Sequence, residues 1–134
     1  MSYARQMLET YPRTLSVDAG VLAGTIDALS DCAQACAADV AADLGEDDVT
    51  EMVRCIRLCL DCADICTATI GVTSRQAACD PNVNRPLLEA CAAICKSCGD
   101  ECQRHARHHQ HCGVCEQACR RCEQACRALL GILK

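Results

Sequence analysis

Apolar side chains recur along this chain at alternating steps of three and four residues, the spacing that keeps one face of an α-helix turned inward. Four long segments carry the pattern. The first starts at Ser16 or Asp18, both suited to an N-cap, and runs to about Leu44, with Leu22, Leu29 and Cys36 at one heptad position and Thr25 and Cys32 at the other. Gly45-Glu46-Asp47-Asp48 then supplies a terminating glycine and acidic residues favourable at the start of the next helix. That second stripe reads Met52, Cys55, Cys59, Cys62, Cys66, Thr69 and Thr73, and the helix is expected to end before Asp80-Pro81.

Residues 80–86 hold two prolines and two asparagines and predict a loop. Pro86 is a good first-turn residue for the third helix, whose stripe is Leu88, Cys91, Cys95, Cys98, Cys102, His105 and His109. The cluster His108-His109-Gln110-His111 and Gly113 mark the last connection. The fourth stripe runs Cys112, Cys115, Cys119, Cys122 and Cys126, then continues to Leu129 and Leu133. A short helix from Ala4 to Thr10, interrupted by Pro12, precedes the four within an N-terminal extension of residues 1–15. The expected fold is all-α: one domain over residues 1–134, an up-down-up-down four-helix bundle with a short N-terminal helix.

This topology brings the 45–48 and 108–112 connections to one end of the bundle. That end collects His105, His108, His109, His111, Met52, Asp47 and Asp48, and the other collects Leu22, Ile26, Leu29, Ile70, Leu87, Leu88, Leu129 and Leu130. Cysteine fills the length between a polar mouth and an aliphatic floor.

Composition sharpens the picture. Hydrophobic residues make up 51% of the 134, yet there is no Trp, no Phe and only Tyr3 and Tyr11, so 16 cysteines carry much of the core. Such a content in a short chain usually marks a disulfide-stapled secreted scaffold. Residues 1–20 contain no apolar run of signal-peptide length, so a cytosolic protein is expected instead. No segment approaches the roughly 20 apolar residues needed to cross a bilayer, and a net charge of -5 gives no electrostatic reason to bind nucleic acid. Neither a membrane nor a nucleic acid is an expected partner.

Fourteen of the 16 cysteines form Cys-x-x-x-Cys units: Cys32/Cys36, Cys55/Cys59, Cys62/Cys66, Cys91/Cys95, Cys98/Cys102, Cys115/Cys119 and Cys122/Cys126. Cys112 and Cys79 are left over, and Cys79 falls one position off its stripe, as a peripheral thiol would. Helical residues four apart hold their Cβ atoms about 5–6 Å apart, beyond the roughly 3.5–4.5 Å of a disulfide. A metal ion between two sulfurs suits that separation better, and each unit offers two ligands from one helix. Thiolates select soft ions: Cu(I), zinc or iron-sulfur clusters. Zinc with four thiolates leaves a double negative charge at every buried site, whereas Cu(I) and bridging thiolates in near-equal numbers leave almost none. Several Cu(I) ions are therefore the expected cargo. A zinc-thiolate or an iron-sulfur protein is the alternative, although the loops and the proline of ferredoxin runs are absent.

With these residues in view, the chain resembles the cytosolic bacterial copper storage proteins over roughly residues 16–130. The resemblance implies a four-helix bundle whose core thiols hold many Cu(I) ions, assembled as a homotetramer and loaded through the histidine end. It carries over to the seven cysteine pairs and adds Cys112 as a core ligand. His105, His108, His109 and His111 are the candidate mouth ligands, with His105 and His109 favoured because they continue the cysteine stripe. The expected function is reversible storage and detoxification of Cu(I) without catalysis, with a copper chaperone as a candidate partner. No nucleophile, base and acid are grouped as an enzyme would need; the histidines beside Cys112 are the nearest to such a set.

Overall fold

Three of the helices start where a side chain takes up a free amide group. The computed structural model describes residues 2–75 and 80–133. Helix α1, Tyr3–Glu9, begins at Ser2, whose hydroxyl accepts from the Arg5 amide at 3.2 Å. Helix α2, Ala19–Leu44, is capped by Asp18, which accepts from the Val21 amide at 3.0 Å, and ends at Gly45. A 3-10 turn at Val49–Met52 leads directly into α3, Val53–Ser74. Helices α4, Pro81–His105, and α5, Gln110–Ile132, complete the bundle.

Neighbours in sequence pack on one another, and α5 closes back onto α2, so the four long helices enclose a single seam. The short α1 lies on α2, with Leu8 joining the core. This is the up-down-up-down bundle that the stripes imply. The 45–48 and 108–112 connections do share an end, as ion pairs from His109 to Glu46 and Asp48 show.

One boundary differs. The expected loop reaching to Pro86 is instead the first turn of α4, because Asp80-Pro81 is itself a start signal. The Asp80 carboxylate accepts from the Asn82 amide at 2.9 Å, and proline at the first position gives up an amide that would have no partner. Pro86 then sits inside the helix, where it removes the bond to the Asn82 carbonyl. Asn82 and Pro86 are both exposed, so that carbonyl is open to water.

The inward face is as the spacing requires. All 15 described cysteines are buried and none is in a disulfide. Leu22, Ile26, Leu29, Leu88 and Leu129 fill the end away from the connections. Three threonines share that floor, and their hydroxyls turn back to their own helices: Thr25 to the Val21 carbonyl at 2.9 Å, Thr69 to Ile65 at 2.7 Å and Thr73 to Thr69 at 2.7 Å. The outward face is ionic. Arg120 pairs with Glu116 and Asp100, Arg121 reaches Asp31 on α2, and Arg127 pairs with Glu123.

Candidate metal centre

The thiols form a column in which each sulfur stands within reach of the next. From the floor, Cys66 lies 3.9 Å from each of Cys91, Cys95 and Cys122, and 3.9 Å from Cys62. Cys62 approaches Cys95 at 3.8 Å and Cys32 at 3.7 Å; Cys32 approaches Cys119 at 3.8 Å. The column continues through Cys36, which is 3.8 Å from Cys119, 3.7 Å from Cys115 and 4.0 Å from Cys98. Cys59 follows, 3.5 Å from Cys98 and 3.9 Å from Cys115, and then Cys102 and Cys55 at 4.0 Å from Cys59.

These separations are about twice a disulfide bond and match two metal-sulfur bonds of roughly 2.3 Å meeting at one ion. The sets cross between helices more than the two-ligand unit implies. Cys32, Cys66, Cys95 and Cys122, one from each long helix, have sulfurs within 4.8 Å of one another, as do Cys36, Cys98, Cys115 and Cys119. The Cys55/Cys59 and Cys62/Cys66 units also bring their own sulfurs to 4.0 and 3.9 Å. Cys126 belongs to the floor, where Cys122 and Cys91 together with burial push its thiol up.

Sharing protons along the column splits the thiols. Contacts with Cys102, Cys115 and Cys119 pull the Cys98 thiol down, and Cys119 leads the groups that bring Cys62 to about 7. Their partners are pushed the other way: Cys36 by Cys115, and Cys102 by Cys115 and Cys55. Where one thiol of such a group gives up its proton, its neighbours can donate S–H bonds to the thiolate that forms, which eases the exchange of protons for a soft cation.

At the mouth the column ends on two carboxylates outside the expected ligand set. Asp39 and Asp43 continue the α2 stripe beyond Cys32 and Cys36 in the same register, and are 1% and 0% exposed. Oδ2 of Asp39 accepts from the thiols of Cys55 and Cys59 at 3.5 Å and of Cys102 at 3.7 Å, while its Oδ1 meets His111 Nδ1 at 2.6 Å. Asp43 Oδ1 accepts from Cys112 at 3.6 Å, and its Oδ2 has no partner among the described residues. Burial, helped by Cys55 and Asp39, pushes Asp43 up to about 8, which favours the protonated carboxyl. Burial works against the His111 cation, yet Asp39 and Glu46 outweigh it and raise the imidazole.

The histidines separate. His111 faces inward and lies 3.6 Å from Cys112 Sγ, with Nε2 3.4 Å from Glu46. His109 stacks beside it, ring centroids 5.6 Å apart, and joins Glu46 and Asp48. His105 turns to the buried Glu101 at 2.8 Å, a carboxylate also held by Arg54 and Arg104. His108 is exposed. The expected single stripe through His105 and His109 breaks because α4 stops at His105 and His109 becomes the N-cap of α5. Met52 is buried at this end, and Cys79 lies outside the described residues.

A family model described as copper storage protein matches residues 20–131. The chain belongs to the copper storage protein family. It is similar to the copper storage protein Ccsp from Streptomyces lividans, whose structure loaded with 10 copper equivalents gives a TM-score of 0.95 at 50% identity, covering 97% of this chain and 99% of that one. A five-copper structure of the S. lividans protein, described as cytosolic, gives 0.84 at 51% identity over 86% and 96%. The Cu(I)-bound copper storage protein BsCsp3 gives 0.70 at 34% identity over 79% of this chain and 94% of that one. The uncharacterized cysteine-rich protein YhjQ of Bacillus subtilis (strain 168) is 41% identical over 61 residues, 46% of this chain and 51% of its own length. The chain thus matches about half the length of that curated relative.

Proposed function

We propose that this chain stores Cu(I) in the cytosol inside one bundle domain, without catalytic turnover. The observation that carries this reading is the unbroken column of sulfur-sulfur approaches of 3.5–4.0 Å from Cys66 to Cys55. The ligands are Cys32, Cys36, Cys55, Cys59, Cys62, Cys66, Cys91, Cys95, Cys98, Cys102, Cys115, Cys119, Cys122 and Cys126, with Cys112 at the mouth. Each arriving Cu(I) takes the place of a thiol proton, so ion and thiolate neutralise one another and the column fills without building charge in a dry interior. His111, next to Cys112, is the histidine of the inlet nearest the thiols, with His109 beside it, His105 half-buried against Glu101 and His108 toward solvent. The S. lividans relative supports the ion, the storage role and the compartment.

The homotetramer implied by the resemblance belongs to this reading, and the exposed Val53 and Leu60 on α3 offer apolar surface for it. Sedimentation of the reduced chain measures it. A copper chaperone is the donor or acceptor this reading calls for. The decisive experiment is anaerobic titration of reduced chain with Cu(I), and separately Zn(II), each against a chromogenic chelator. Uptake should reach about one Cu(I) per core thiol. Saturation at about one metal per four thiols, with Zn(II) preferred throughout, would replace this reading with the zinc-thiolate one.

A further inference from the structure

We infer that the mouth contains a binding site for one divalent tetrahedral cation of the zinc class, formed by Asp39 Oδ2 and the sulfurs of Cys55, Cys59 and Cys102. These four atoms, drawn from α2, α3 and α4, lie within 4.8 Å of one another and all four residues are buried. Every edge of the figure they make is defined. The sulfur-sulfur edges are 4.0 Å for Cys55 to Cys59, 3.9 Å for Cys55 to Cys102 and 4.0 Å for Cys59 to Cys102. The oxygen-sulfur edges are 3.5, 3.5 and 3.7 Å. A tetrahedral zinc with bonds of about 2.3 Å to sulfur and about 2.0 Å to oxygen has edges of about 3.8 and about 3.5 Å. The apex is closer than the base corners, in the sense that replacing one sulfur with oxygen demands.

The donor set separates this site from the column below it. A hard carboxylate oxygen adds little for Cu(I), which is content with two or three sulfurs, whereas zinc binds sulfur and carboxylate together. A divalent ion also offsets two of the four negative charges of a fully ionised set, and a monovalent ion only one. The carboxylate is oriented from behind: Asp39 Oδ1 meets His111 Nδ1 at 2.6 Å, and His111 Nε2 faces Glu46 at 3.4 Å. Such a second layer of hydrogen bonds fixes a ligand's direction and is worth about 10–100-fold in metal affinity.

The site shares three cysteines with the proposed copper store but does not depend on that store being real. The test is anaerobic titration of the reduced, metal-free chain with Co(II), a coloured stand-in for Zn(II), followed by Zn(II) back-titration. One Co(II) per chain should give the intense visible bands of a tetrahedral sulfur-rich site, discharged by one Zn(II). Asp39→Ala should weaken binding by at least about 100-fold, and His111→Ala by about 10–100-fold. Cys95→Ser, which removes a thiol from the deeper all-sulfur set, should leave the bands in place. Asp39→Asn serves if the alanine variant loses its helical circular dichroism, and should weaken binding and shift the bands. Absence of tetrahedral bands, or bands that survive both Asp39 variants, or bands that vanish with Cys95→Ser, would each overturn the proposal. Cu(I) uptake measured on the same samples reports on the storage reading separately.

Discussion

Asp39 on α2 and His111 on α5 meet at 2.6 Å across the open end of the bundle, the carboxylate fully inside and the imidazole partly in water. The contact ties the first and last long helices together at that end. Replacing His111 with Ala leaves a buried carboxylate with thiols for company and should destabilise the metal-free chain by about 1–3 kcal/mol. Replacing His105, whose partner Glu101 keeps Arg54 and Arg104, should cost less. Urea unfolding of the two variants checks the order, and equal losses would remove the special role of the Asp39 contact.

Asp43 sets a pH dependence. Its carboxyl has an ordinary value of 3.8 and is raised to about 8 in the fold. Between those values the folded chain binds more protons than the unfolded one, so this group makes stability fall as pH rises through that window. The slope from one group cannot exceed about 1.4 kcal/mol per pH unit. Asp43→Asn should flatten the decline in denaturation midpoint of the metal-free chain from pH 5 to about 8. A midpoint in wild type that climbs across that range as steeply as in the variant would contradict it.

Capacity and access should come apart on mutation. Cys95→Ser with Cys98→Ser removes two ligands deep in the column and should lower the copper content by about two ions. His105→Ala with His109→Ala should instead slow loading and removal, leaving the content within about two ions of wild type. Stopped-flow transfer from a chelator, with copper analysis at the end point, separates the two effects. Unchanged rates in the histidine pair would leave His111 and Cys112 as the inlet.

The bundle should stand without metal, because the floor is aliphatic. Leu29 is fully buried there, and Leu29→Ala should cost about 2–5 kcal/mol in the reduced, metal-free chain. Circular dichroism of that chain should show a helical protein with a cooperative melt. A random-coil spectrum would mean that metal organises the fold.

What the sequence made legible was whatever repeats. Cys55, Cys59, Cys62 and Cys66 keep their register over several turns, so helix, inward face and packing partners all followed from spacing. Asp39 and Asp43 hold the same register on α2, but a carboxylate at a seam position reads as the end of an apolar stripe. Only the thiols and imidazole brought from α3, α4 and α5 give it a reason to be inside. Pro86 misled in the opposite direction: it resembles a helix start, yet Asp80-Pro81 had already supplied one. The spacing of His109 from Cys102 fits the α4 face, yet the chain turns before reaching it.

The three threonine hydroxyls that turn back to their own helices, together with the leucines around them, close the floor of the column among the described residues. On the storage reading, a vessel with one opening behaves as a stack and not as a queue. Ions that arrive first are pressed toward Cys66 and Cys91, and those that arrive last sit by Cys55 and leave first. Copper supplied in two isotopes, one after the other, should come off to a chelator in reverse order. Release of both isotopes in proportion to their amounts would show that ions trade places along the sulfur faster than they leave.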